Sequence, residues 1–292
     1  MAACVPELDT LRFFSSLFSR SFFSEVMEIG AVPEFFAERL TKHDASMVRA
    51  GQTFGNCLRT IYGRLARDYR SEYVYKNALL RMLVKDYARR DTVIFNEFKC
   101  GDSYADLAMF NGESRVYEIK TELDSPARLV RQLANYKAFF QRCYIVTHES
   151  LVEKYSQIDS EVGIIELENG SVAPRLHVRR EAPRLQRVDV DVLMQTMHTN
   201  EYKALVRELC GELPPVGAFQ MYAACAEKLR GVPGDMLQKA CARLLKERGR
   251  SSKCLWEYSR STSAFLQMCL ALHMKPAEHE RLKTIMNSPI LS

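Results

Sequence analysis

The 292-residue sequence predicts a mixed α/β fold, with a strand-bearing centre set between two helical segments. Three observations carry that reading. Leu11, Phe14, Phe18, Val26, Ile29, Leu58, Ile61 and Leu65 recur at helical spacing through the first part of the chain. Four β-type runs then follow closely, at 92–98, 103–110, 115–121 and 143–147. From about residue 190 the helical texture returns, interrupted at Pro214-Pro215, at Gly231 to Gly234 and at Pro276. The expected organisation is a helical N-terminal region at 1–68, an α/β core at 69–180 and a helical C-terminal domain at 190–292. The Pro183-containing stretch 181–190 is read as a linker.

The elements of the core are justified in order. Ser71 can cap a helix that carries Val74, Ala78, Leu79, Met82, Leu83 and Tyr87 on one face. Three strands follow, the second and third joined by a hairpin turn at Asn111-Gly112. Ser125-Pro126 supplies an N-cap with proline at the first helical position, for a helix running to about Gln141. A short apolar strand at 143–147 completes the order helix, meander, helix, strand. A weaker strand pair is expected at 163–167 and 172–178, around Glu168-Asn169-Gly170.

Composition excludes several classes. With 47% apolar and 26% charged residues, the chain is neither disordered nor collagen-like. No apolar run reaches the roughly 18 residues that span a bilayer, so no membrane partner is expected. Arg20 interrupts the Phe13–Phe23 region, Arg12 adjoins it and Glu7 and Asp9 precede it, which argues against an export signal and for a cytoplasmic protein. The phenylalanine-rich face reads as core or as a surface for a protein partner. The nine cysteines are scattered without a C-x-x-C pair, so free, mostly buried thiols are expected rather than a metal knuckle. The net charge of +5 is compatible with a polyanion partner without demanding one.

The chemistry-bearing stretch runs from Glu97 to Lys120. On a strand Glu118 and Lys120 share one face, with Ile119 on the other. Asp106 lies among Ala105, Leu107, Ala108 and Met109, where a buried carboxylate costs several kcal/mol unless paired or bound to a cation. A three-residue loop over Asn111 to Glu113 pairs Phe110 with Ser114 and sets Asp106 opposite Glu118; a two-residue loop sets it opposite Tyr117. A three-residue loop or a bulge is therefore expected. Two carboxylates offer hard oxygen ligands for Mg²⁺, and the Ile119 carbonyl could add a ligand. Such a metal acidifies a water and stabilises charge on a phosphate, and Lys120 can orient the water or neutralise that charge.

Asp106 followed by Glu118-Ile119-Lys120 on the next strand resembles the PD-(D/E)XK nuclease superfamily. Gln132 and Tyr136 on the next helix resemble the Q-x-x-x-Y element of its RecB-like branch. The runs Arg70 to Asn77 and Glu118 to Asp124 are similar to a poorly characterised bacterial subgroup. The resemblance covers roughly residues 70 to 150, and Ala105 stands where the name-giving proline would be. It implies a restriction-endonuclease-like αβββαβ core with flanking helical parts, and an Mg²⁺- or Mn²⁺-dependent deoxyribonuclease, in bacterial antiviral defence or in repair. By the same resemblance Asp106 and Glu118 bind metal, Lys120 is catalytic, and Glu72 is an additional acidic metal ligand. DNA is the expected partner, with the helical regions available for a protein partner or a second copy. The rival reading is a module that keeps the fold and binds without cutting.

Each residue has a plainer reading beside the functional one. Arg128 and Gln132 could meet a phosphate and a base edge or metal, or form a polar helix face with Tyr136 packed in the core. Glu72 is equally a first-turn acid favoured by the helix dipole. Glu97 could touch the metal shell, but reads more simply as a strand-end surface charge, and Asp124 as a cap for the following helix or a support of the site. Arg179, Arg180, Arg184 and Arg187, and then Lys246, Arg248, Arg250 and Lys253 near Trp256 and Tyr258, are basic clusters that could track a phosphate backbone or simply be solvated. No histidine pair, nucleophile elbow or phosphate-binding loop is present.

Overall fold

A computed structural model describes residues 7–87, 91–122, 124–168, 174–250 and 264–291, with the backbone alone at Pro126. The chain divides into two compact units. One comprises Met1–Asp86, Leu167–Leu176 and Cys254–Ser292, the other Tyr87–Glu166 and His177–Lys253.

The first unit holds α1 (Glu7–Ser16), α2 (Arg20–Ile29), α3 (Phe35–Asp44), α4 (Phe54–Asp68) and α5 (Glu72–Tyr87). The Ser19 side chain accepts from the Phe22 N–H and starts α2, and Gly30, left-handed at φ +74°, ends it. The phenylalanine-rich face is core: Phe14, Phe22, Phe23, Phe36 and Phe54 are buried, with Phe36 and Phe54 edge to face at 4.8 Å. Two helices from the far end of the sequence join the same unit, and in chain order, after those of the second unit, they are α12 (Leu266–Ala271) and α13 (Pro276–Met286). The Phe54 N–H donates to the Ser288 carbonyl at 2.9 Å, the Tyr73 hydroxyl to the Ala264 carbonyl at 2.6 Å, and the Gln267 N–H to Asn77 Oδ1 at 3.1 Å. The expected segments 1–68 and 190–292 therefore do not coincide with the compact units. The aromatic stripe of the first helices is buried partly by Phe265, which lies 6.0 Å from Phe23, so the C-terminal helices divide between the two units. The Ser71 hydroxyl, expected to cap α5, has no hydrogen-bond partner among the described residues.

The second unit is built on a six-stranded sheet in sequential order: β1 (Val93–Cys100), β2 (Ser103–Phe110), β3 (Ser114–Lys120), β4 (Arg142–His148), β5 (Gly163–Leu167) and β6 (Leu176–Arg180). The first three strands form an antiparallel meander, and β4 returns parallel to β3. Between them lie a 3₁₀ turn, Pro126–Arg128, and α6 (Leu129–Lys137). The Ser125 hydroxyl accepts from the Ala127 N–H at 3.3 Å, so the cap falls on the 3₁₀ turn and α6 is shorter than expected. The remaining helices are α7 (Val152–Ser156), α8 (Val190–Thr196), α9 (Thr199–Cys210), α10 (Ala218–Arg230) and α11 (Gly234–Arg248). Leu129, Leu133, Leu193, Leu205, Leu229 and Leu245 from these helices, with Phe140 just after α6, share one core with Phe98, Phe110, Val116 and Ile145 of the sheet.

Residues 181–189 are tied down rather than free as a linker. The Leu185 N–H donates to the Gln141 carbonyl and the Asp189 N–H to the Ala138 carbonyl, both at 2.8 Å. Among the described residues no helix is long and apolar enough to cross a membrane. The described cysteines are free, and all but Cys210 are buried. Cys4 and Cys254 lie outside the described residues, as do Lys253, Trp256 and Tyr258.

Candidate functional site

The β2–β3 register is the one the three-residue loop requires. Phe110 pairs with Ser114 and Leu107 with Tyr117, which carries Asp106 to the position opposite Glu118. Asp106 Oδ2 accepts the Ile119 N–H at 2.7 Å, so a carboxylate takes the place of a strand carbonyl there. Backbone geometry explains why. Val93 and Phe95 pack into the α6-side core, yet so do Phe98 and Cys100; on β2 Ala108 and Phe110 do so, yet so does Ala105. Strict alternation slips by one residue on both strands, and Glu97 and Asp106 occupy the slip. Glu97 has a left-handed φ of +52°; the ladder pairs Asn96 with Leu107 and Phe98 with Ala105, skipping the two acids.

Glu118 and Lys120 lie on the same side of β3 as Val116 and face α6. Glu118 is only 3% exposed and Lys120 9%. The Glu118 carboxylate is held by three donors. Oε1 accepts from Lys120 Nζ at 2.7 Å and from Gln132 Nε2 at 2.7 Å; Oε2 accepts from the Tyr136 hydroxyl at 2.7 Å. Gln132 also accepts from Lys120 through its Oε1 at 3.3 Å. Gln132 and Tyr136 reach the carboxylate together because i and i+4 share a helix face. Burial, then the charges of Glu118 and Asp106, push the Tyr136 phenol well above its ordinary range, so it stays a protonated donor. The register sets Asp106 opposite Glu118, with the Asp106 carboxylate on the Ile119 N–H and the Glu118 carboxylate on the phenol.

The other expected residues fall as follows. Tyr136, expected with Arg128 as a substrate-binding residue, is fully buried, and its hydroxyl lies against Glu118 and, at 2.9 Å, the Tyr104 carbonyl, where it meets the carboxylate rather than solvent. Arg128 is exposed and makes no ion pair among the described residues. Glu72, at the start of α5 in the first unit, is exposed and paired with Lys76 one turn on. Asp124 accepts from the Thr121 N–H and hydroxyl, both at 2.8 Å, rather than capping α6.

The first basic cluster is spent on structure. Arg179 makes a bidentate pair with Glu166 at 2.6 and 2.7 Å, Arg180 donates to the Val162, Ser156 and Asp159 carbonyls, and Arg187 pairs with Glu161. In the second, Lys246 pairs with Asp91 and Arg248 with Glu201. Sequence reasoning missed the strained Glu97 and the part of Asn135. Asn135 donates to Ser103 Oγ at 2.8 Å and ties α6 to the β1–β2 turn. That turn needs Gly101, at φ +61°, where a Cβ would meet Asn135 Oδ1 at 3.0 Å.

Among the described residues no group of three or more His, Cys, Asp or Glu side chains could hold a metal ion. The Asp106–Glu118 pair is a two-carboxylate donor set. It does not suit zinc, which takes three or four protein ligands. It does suit Mg²⁺ or Mn²⁺, bound through one or two carboxylates with waters retained.

The family described as bacteriophage P4 protein cII matches residues 65–268. Protein cII of Enterobacteria phage P4 is 29% identical over 140 residues, 47% of this chain and 53% of that protein, so the match spans about half of that relative's length. Among solved structures, the SPO1766 protein of unknown function from Silicibacter pomeroyi aligns with a TM-score of 0.31 and 16% identity, over 50% of this chain and 97% of its own.

Proposed function

We propose that this chain, which belongs to the bacteriophage P4 protein cII family, is a divalent-metal-dependent nuclease that hydrolyses DNA phosphodiester bonds. The strands β1 to β4 with α6 are read as the βββαβ part of a restriction-endonuclease-like core. The observation that carries the proposal is the Glu118 carboxylate, buried, held by Lys120, Gln132 and Tyr136, and opposed across the ladder by Asp106. A purely structural sheet gains little from such a cluster, because a buried ion pair recovers its desolvation only with complete hydrogen bonding.

Asp106 and Glu118 would hold Mg²⁺ or Mn²⁺, with the Ile119 carbonyl as a further oxygen ligand. Bound there, the ion supplies an acidified water and positive charge against the phosphate. The chain's own groups divide the remaining work. Lys120, 2.7 Å from Glu118, presents an ammonium that can orient the attacking water or meet a phosphate oxygen. Gln132 clamps both Lys120 and Glu118, fixing their separation. Tyr136 holds the second Glu118 oxygen and thereby the direction of the carboxylate. Arg128 is an exposed cation one helical turn before Gln132, suited to a non-bridging phosphate oxygen.

The test is supercoiled plasmid incubated with Mg²⁺, with Mn²⁺ and with chelator, beside Asp106→Asn and Lys120→Ala. Nicking that needs the metal and is lost in both variants is the expected result. Nicking that survives both substitutions removes the mechanism. Retained DNA binding without cutting under either ion favours a binding module on the same fold.

A further inference from the structure

We infer that a row of cations along α11 is a landing site for the sugar–phosphate backbone of DNA, which it holds without regard to base sequence. A cavity of about 370 Å³ opens between α11 and the β2–β3 hairpin tip, lined by Lys239, Arg243, Lys246 and Arg250. Spacings of four, three and four residues put all four within a narrow arc of one helix face. Leu237, Cys241 and Leu245 occupy the opposite face and belong to the core. Attraction to the helix C-terminus accounts for Lys246 in the last turn. It does not account for Lys239 and Arg243, which come before that turn.

Inside the cavity the four cations face two acids, Asp91 and Glu247, which leaves a surplus of positive charge. Lys246 pairs with Asp91, and Arg243 with Glu247 at 3.4 Å and with Glu208 of α9. Lys239 lies 3.5 Å from Asp235, one turn back. Neither Glu208 nor Asp235 lines the cavity. Arg250 is exposed and enters no ion pair among the described residues. The Lys239 and Arg243 side chains are 80% and 49% exposed. Exposed pairs of this kind contribute little, so a competing anion displaces the acid at small cost.

The rest of the wall is Gly112 and Ala242, with no ring to stack a base and no amide or hydroxyl side chain to read its edge. The lining therefore matches phosphates rather than bases. From Lys239 to Lys246 is about 10 Å along the helix axis, and Arg250 follows just past the helix end. Phosphates of one duplex strand advance about 3.4 Å along the axis, so the row meets several of them, whereas a lone phosphate would leave most of it unused. The cavity is separate from the carboxylate site. Phe110, beside the hairpin tip, is four strand positions from Asp106, about 13 Å. Only the choice of DNA as the polyanion rests on the nuclease reading.

The experiment is fluorescence anisotropy of the full chain with a labelled DNA duplex, in chelator so that nothing is cut, across a salt series. Wild type is compared with Lys239→Gln/Arg250→Gln and with a charge-matched control, Lys42→Gln/Lys154→Gln, which changes exposed lysines on α3 and α7. The first double variant should bind about tenfold more weakly at about 0.1 M salt, with a salt slope reduced by about two counterions. The loss should be the same for two duplexes of unrelated sequence, and the control should match wild type. The inference is overturned by a wild type that does not bind, by a Lys239→Gln/Arg250→Gln protein that binds like wild type, by an equal loss in the control, or by a loss confined to one sequence. Binding is read without metal, so a wild type that fails to nick plasmid sinks the nuclease reading and leaves this result standing.

Discussion

Replacing Tyr136 by phenylalanine removes one oxygen atom and isolates one claim about the site. The ring is fully buried in the α6-side core and keeps its packing, so little cavity forms. What disappears is the donor 2.7 Å from Glu118 Oε2. Glu118 keeps Lys120 and Gln132 on its other oxygen, so Oε1 stays paired while Oε2 loses its partner. A hydrogen bond to a charged group contributes about 1.5–3 kcal/mol, and an acceptor left unmet in a 3%-exposed residue loses most of that. Taking about 2 kcal/mol, the folding equilibrium shifts by about thirtyfold, and with an m-value of about 2 kcal/mol/M the urea midpoint of the second unit falls by about 1 M. Circular dichroism across a urea series reads the stability. Plasmid nicking measured well below the transition reads the site, where the carboxylate loses its fixed direction and the rate should fall by tenfold or more. A Tyr136→Phe protein with the wild-type midpoint and nicking rate would show that the phenol does not bear on Glu118, and the account of how α6 positions the site would fail with it.

Asp106→Ala should unfold more easily than Asp106→Asn by about 1–3 kcal/mol, because the Ile119 N–H loses its acceptor in the first and keeps an oxygen in the second; equal urea midpoints would contradict this. Glu97, at φ +52°, should tolerate glycine with no loss of stability and lose about 1–2 kcal/mol as Glu97→Val, since a β-branched residue fits the left-handed region poorly. Equal losses in the two variants would place the effect in the side chain instead. Burial lowers the His279 imidazole below its ordinary value, Lys283 adds to this and Glu280 opposes it. The unfolded chain therefore takes up the proton more readily, so first-unit stability is full above about pH 6.5 and declines as the pH falls below it. His279→Gln should flatten that decline, and an unaltered pH profile would refute the assignment. Burial pushes the Cys57 and Cys100 thiols up to about 12, so iodoacetamide at mildly alkaline pH should modify them only after unfolding; rapid labelling of either in the native protein, read by peptide mass, would contradict it.

Much of the site was legible because its determinants are local. The choice between a two- and a three-residue loop at Asn111 fixes the β2–β3 register, and Leu107 opposite Tyr117 follows from it. Glu118 and Lys120 share a face by alternation, and Gln132 and Tyr136 by helical periodicity, so four of the converging side chains could be placed from spacing alone. The first unit was not legible in the same way. Its assembly depends on Thr53 bridging Pro289 and on Tyr73 reaching the Ala264 carbonyl, contacts between residues hundreds of positions or nearly so apart that no local period records. The Arg179–Arg187 cluster misled for a related reason. A basic run reads as a polyanion track until the acids that meet it, Glu166 and Glu161, are brought beside it by the sheet. Tyr136 shows a third limit: a tyrosine on the face of a functional helix could meet substrate or support a ligand, and only its burial decides for support.

The irregular stretch of β1 and β2 links backbone to chemistry. A regular ladder would pair Glu97 with Asp106 and leave the Ile119 N–H to a strand carbonyl. With both strands slipped by one residue, Phe98, Cys100 and Ala105 still reach the apolar core, and the slip falls on the two acids between them. Glu97 takes the left-handed conformation and stays exposed, absorbing the strain at a position with no packing to lose. Asp106 is thereby freed from ladder pairing, and its carboxylate satisfies the backbone donor of the residue between Glu118 and Lys120. The aspartate is therefore aligned with the Glu-x-Lys strand by the sheet's own hydrogen-bonding demand rather than by side-chain packing. That constraint is geometrically tighter, since a backbone N–H has one direction while a packed rotamer has several. Two carboxylates thereby take opposed positions on neighbouring strands in a largely apolar layer, one anchored by main chain, the other by a lysine, an amide and a phenol.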